Sequence, residues 1–156
     1  MSAEQPNFEQ VQQGWRERQA EHDRIFAELV SINKPVLLRA LAEAGITEVT
    51  VSYDGSGDEG RVEAVVAQAN GDDIDIPDIV VELSHPPFEN GKPVTRQQAL
   101  SDAVASFAED LLYRRYPWWE DGDGAYGEIV FDTAAGVITL DHNARYTASN
   151  AYQHEY

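Results

Sequence analysis

In the run Thr47-Glu-Val-Thr-Val-Ser-Tyr53 polar and apolar side chains alternate without interruption from Glu48 onward. A period of two places Val49, Val51 and Tyr53 on one face, the pattern of a half-buried strand. The next stretch, Tyr53-Asp-Gly-Ser-Gly-Asp-Glu-Gly60, spaces glycines so that positive φ and close backbone approach are available. Residues 61–67 resume the strand pattern less cleanly, with Val62, Ala64 and Val66 on one side, so 47–67 predict an antiparallel hairpin. A second loop of similar chemistry, Glu120-Asp-Gly-Asp-Gly-Ala-Tyr-Gly127, leads into strand-like runs at 126–132 and 137–141. Gly136 suits the left-handed position of the turn between them, which predicts a second hairpin.

The rest of the chain is read around these hairpins. Phe8, Val11, Trp15, Ile25, Phe26, Leu29 and Ile32 recur at helical spacing, interrupted by Arg18 and His22, and predict a long helix over 7–32 with Asn7 as its N-cap. His22 reads as a packing residue. Asn33 and Pro35 predict a stop, followed by a short apolar helix through Val36, Leu37, Leu38, Leu41 and Ala44 and closed by Gly45. Residues 74–83 offer a third strand, but Pro77 cannot donate to a ladder and predicts an edge or a break. His85-Pro-Pro-Phe-Glu-Asn-Gly-Lys-Pro93 reads as a loop. Thr95-Arg-Gln-Gln98 fits a capping box with Val94 as its staple, and Leu100, Val104, Phe107, Leu111 and Leu112 continue it as a helix over 96–116, barred by Pro117. Tyr146, Tyr152 and Tyr156 predict a tail that docks. Strands in hairpins rather than in βαβ units predict an α+β class with a mainly antiparallel sheet and one packed helix. The chain is expected to form a single domain over 1–156, with a helical pair over 7–45 and a hairpin–helix–hairpin core over 46–156.

Charge bounds the function. The 156 residues carry 28 Asp and Glu against 11 Lys and Arg, a formal net charge of −17. Such a surface repels nucleic acid and anionic membrane and attracts basic proteins and cations. With 42% hydrophobic residues the chain has material for a core, and with no cysteine it has neither disulfides nor thiolate chemistry. The first residues lack a basic and an apolar signal region, and no apolar run reaches membrane-spanning length, so a cytoplasmic protein is expected.

Three kinds of chemistry are weighed. A cation site would draw on Asp54, Ser56, Asp58 and Glu59, with calcium or magnesium as its ion. Counted as an EF-hand from Asp54, the loop has Glu59 where glycine is needed and Val65 where a bidentate Glu is needed; counted from Asp121 it fails similarly. A metal-dependent hydrolase would gather His142, His154, Asp141 and Glu155 with Asp54 or Asp58, but no pair of histidines has the spacing of one helix face. Ser56 lacks the following helix of a nucleophile elbow, and the acids of its loop would repel a bound phosphate. Recognition is the third: Trp118, Trp119, Glu120, Asp121, Asp123 and Tyr126 combine aromatics with carboxylates, a good anchor for an Arg-rich surface.

Tyr53–Gly60, Trp119–Gly127 and the run Asp141-His-Asn-Ala-Arg-Tyr146 together resemble an uncharacterised bacterial family of small acidic proteins. That family is a domain of unknown function often carried on plasmids, prophages and other mobile elements, and the resemblance spans about residues 35–156. It implies no named activity and raises the expectation of an accessory or counter-defence role. The expected function is a non-catalytic acidic protein, without a cofactor, that binds a basic protein partner as an inhibitor or nucleic-acid mimic. The alternative is a divalent-cation-binding module or metal-dependent hydrolase built on the Gly-Asp loop.

Overall fold

A computed structural model describes residues 8–57, 59–146 and 152–155. The expected N-cap Asn7 and the terminal Tyr156 lie outside them. In chain order the elements are α1 (Phe8–Glu43), β1 (Glu48–Ser56), β2 (Glu59–Ala69), β3 (Asp72–Ile74), β4 (Val80–Glu89), β5 (Lys92–Ala99), α2 (Leu100–Arg115), β6 (Ala125–Asp132) and β7 (Val137–Ala144). The class is α+β, with a mainly antiparallel sheet. The chain divides into two compact units: residues 1–36 with 82–96, and residues 37–81 with 97–156.

The larger unit contains a five-stranded sheet in the order β3-β2-β1-β6-β7. Both expected hairpins are present, and β1 and β6 join them antiparallel at the centre. Alternation in β1 buries Val49, Val51 and Tyr53, and β6 answers with Ala125, Ile129 and Phe131 on the same face. Onto this face packs α2, whose buried Leu100, Ala103, Val104, Phe107, Ala108 and Leu112 form one stripe at helical spacing. Phe107 meets Phe131 with ring centroids 6.2 Å apart. Leu37, Leu41 and Ile46 complete the core.

In the smaller unit the first part of α1 accompanies the hairpin of β4 and β5, held by the side chain of Asn33. Its amide nitrogen donates to the carbonyl of Ser84 at 2.9 Å, and its oxygen accepts from the Ser84 N–H at 2.8 Å. Asn33 thus pairs with a strand backbone as another strand would.

Four expectations need correction. The helical pair is one helix of 36 residues with Pro35 inside it. Asn33 uses its amide on Ser84 rather than on ending the helix, and the packing of Leu37 and Leu41 beyond the proline offsets the lost backbone bond. The loop at 85–93 is a β-hairpin, turned at Asn90-Gly91 with φ of 55° and 75°, the two positive values a type I′ turn needs. Its prolines are tolerated because each strand of a two-stranded sheet is an edge. The capping box at Thr95–Gln98 lies in β5, so α2 begins at Leu100, whose N–H is satisfied by the carbonyl of Ile79 at 2.8 Å. The expected break at Pro77 is present, with β3 ending at Ile74 and β4 starting at Val80. Of the tail tyrosines, Tyr146 and Tyr152 are exposed and undocked.

Candidate functional site

The two acidic glycine loops, at 53–60 and 120–127, meet at one end of the large sheet where Gly55 pairs with Ala125. The N–H of Gly57 donates to the carbonyl of Gly122 at 2.9 Å. Gly124, at φ 78°, lies so close to β1 that an added Cβ would stand 1.8 Å from the carbonyl oxygen of Gly55. Only a glycine permits that backbone contact. Gly60 plays a similar part for the indole of Trp119, whose ring would lie 2.6 Å from a Cβ there.

Arg145 clamps this junction. Its guanidinium donates to both carboxylate oxygens of Asp54, at 2.8 and 2.9 Å, and to the carbonyls of Gly55 and Ala125 at 3.2 and 3.3 Å. The bond from Arg145 holds the Asp54 carboxyl below the usual range. The same guanidinium lies 4.7 Å over the ring of Tyr126.

Beneath the clamp runs an aromatic row. Tyr53, Gly127 and His142 stand opposite one another across β1, β6 and β7. The missing side chain at Gly127 lets the Tyr53 ring cross to His142, where its hydroxyl lies 2.6 Å from Nδ1. The hydroxyl has one proton and a second acceptor, the Asp141 carbonyl, at 3.4 Å. With the imidazole proton on Nε2 the hydroxyl donates to Nδ1; with it on Nδ1 the hydroxyl accepts that proton and donates to the Asp141 carbonyl. Tyr116 stacks on His142 with centroids 3.7 Å apart, and Trp119 meets Tyr53 edge-on at 5.2 Å. Burial raises the Tyr53 hydroxyl and lowers the His142 imidazole from their ordinary values. A cleft of about 360 Å³ opens beside the row, lined by Arg115, Tyr116, Trp118, Asp121, His142 and Arg145 among others.

The expected recognition residues separate. Trp118 is exposed, as are Asp121, Asp123 and Tyr126. Trp119 is only 5% exposed and belongs to the core, and Glu120 is half-buried with Oε2 lacking a hydrogen-bond donor among the described residues. Of the cation candidates, Asp54 is held by Arg145 and Ser56 is exposed, while Asp58 and the side chain of Glu59 lie outside the described residues. Among the described residues no group of three or more His, Asp or Glu is placed to hold a metal ion. His154 lies on the exposed tail and His142 in the aromatic row. Sequence reading did not single out Arg145 or Tyr116. Arg145 is a lone cation in an acidic stretch, which was the available signal.

A family model described as a family of unknown function, DUF6878, matches residues 29–156. The chain belongs to the DUF6878 family. No curated protein and no solved structure matches it. The matched DUF6878 region holds the whole loop junction, the clamp and the aromatic row. No helix among the described residues is long and apolar enough to cross a membrane.

Proposed function

We propose that this DUF6878 protein is a non-catalytic acidic recognition module that binds a basic protein partner. The observation that carries the reading is Trp118, whose indole is 74% exposed while the next residue is locked in the core. A large aromatic held outward on a fixed loop, with Asp121 and Asp123 close in sequence, suits an Arg- or Lys-rich surface. The buried Trp119 serves this reading by fixing the loop, so the anchoring role passes to Trp118.

In its finer form the proposal is a cytoplasmic inhibitor of the type mobile elements carry, occupying a basic groove that otherwise holds nucleic acid. The net charge of −17 supports it. So does the open face of the large sheet, where register sets Glu48 opposite Asp132 and Glu128 opposite Asp141. The divalent-cation or hydrolase reading finds less support, because the Arg145 guanidinium already neutralises Asp54.

A tagged copy in its native host should recover a basic protein. Association with it should slow as salt rises, and Asp121→Asn with Asp123→Asn should slow it further. Trp118→Ala should speed dissociation about thirtyfold or more, the scale of an interface hot spot at about 2 kcal/mol. Nucleic acid should compete for the same partner. Simultaneous binding of both would rule out the mimic, and unaltered kinetics in both variants would place the interface elsewhere.

A further inference from the structure

The first part of α1 leaves an apolar stripe open. Phe8, Val11 and Trp15 are 74%, 51% and 60% exposed, and Ile25, Leu29 and Ile32 each keep part of their surface accessible. A solvated helix with such a stripe gains little from propensity alone and is stabilised by covering it.

The spacing says what kind of cover fits. Phe8, Val11, Trp15, Arg18, His22, Ile25, Leu29 and Ile32 are separated by alternating steps of three and four. This is the a/d heptad seam of a coiled coil, which calls for another helix. The order of residue types along the seam is also a palindrome about residue 20: three apolar, two polar, three apolar. A sequence palindrome on a helix is self-complementary under a two-fold axis perpendicular to it, the isologous arrangement of a symmetric dimer.

We propose that α1 pairs with α1 of a second copy of this chain as an antiparallel coiled coil centred on residue 20. In that register Phe8 of one copy meets Ile32 of the other, Val11 meets Leu29 and Trp15 meets Ile25. Arg18 meets His22 in a central polar layer. The central polar layer fixes the register, because any slip would set Arg18 or His22 against an apolar residue. A parallel pair fails on the same residues, since it stacks Arg18 on Arg18. The inference is independent of the proposed recognition surface.

Sedimentation of the full chain over a wide concentration range should give twice the 17.3 kDa chain mass. Trp15→Glu should halve that mass without altering the helical circular dichroism, since Trp15 is exposed. Because the chain has no cysteine, orientation can be read from single-cysteine variants with a short bis-maleimide. Antiparallel pairing brings Gln19 beside Gln19 of the second copy and keeps the two copies of Val11 far apart, so Gln19→Cys should cross-link and Val11→Cys should not. A monomer throughout the range, a trimer or tetramer, or cross-linking at Val11→Cys alone would overturn the proposal.

Discussion

Gly127 is the residue on which the aromatic row depends. A Cβ there would stand 2.0 Å from the Asp141 carbonyl oxygen and 2.5 Å from the Tyr53 hydroxyl, neither of which can move far within the sheet. Gly127→Ala should therefore destabilise the protein by about 1–3 kcal/mol, the scale of overpacking, as a drop in the urea midpoint. His142 gives the row a pH dependence. Its folded pKa is depressed by burial, so as pH falls the unfolded chain takes up the proton first. The contribution is present above the ordinary histidine value of 6.5 and is lost as pH falls through it toward the depressed one. Urea midpoints measured between neutral pH and the onset of carboxylate titration should fall in the wild type, and His142→Gln should flatten that slope. At this scale the sequence was least legible. The glycines were visible as loop residues, but Gly127 matters because register sets it between Tyr53 and His142, and Arg145 because it lies against a loop ninety or so residues away through the β1 and β6 pairing.

Elements were legible wherever their periodicity acted alone. The alternation from Val49 to Tyr53 buries what it predicts, and so does the stripe from Leu100 to Leu112 except at Leu111, which is half-buried. Phe107→Ala should accordingly cost about 3–5 kcal/mol, seen as a shifted unfolding midpoint. Reading failed where a local signal was outweighed. Prolines at 86, 87 and 93 obscured the Asn90-Gly91 turn, although both strands of a two-stranded sheet can carry them. Pro35 suggested a boundary, yet the side chain expected to stop the helix is engaged at Ser84. The large sheet shows the reverse, a register that opposes local preference. Glu128 faces Asp141 across β6 and β7, and directly opposed like charges are destabilising. Glu128→Gln should raise stability by about 0.2–1 kcal/mol, measurable by the same urea titration. A gain there together with slower association with a basic partner would show that the charge serves binding at the expense of the fold.

For the whole molecule the net charge of −17 sets the response to salt. Self-repulsion favours expansion, so sodium chloride should raise the melting temperature from low ionic strength toward physiological values, where the screening length falls to about 8 Å. A flat response would mean that opposing charge pairs already balance the repulsion. The α+β class was legible at this scale because hairpin signals outnumbered any βαβ pattern. The order β3-β2-β1-β6-β7 was not, since nothing local in Ala125–Asp132 names β1 as its neighbour. That neighbour relation bears on how the protein is made. As the chain leaves the ribosome, β1 can pair with β2 at once, but its other edge waits for β6, roughly seventy residues and about 4–14 s of synthesis later. During that interval the nascent polypeptide presents Val49 and Val51 on an unpaired strand, a template for neighbouring chains on the same message. Premature termination after residue 116 would make the interval permanent, so such truncated products should accumulate as insoluble material while the full-length protein remains in solution.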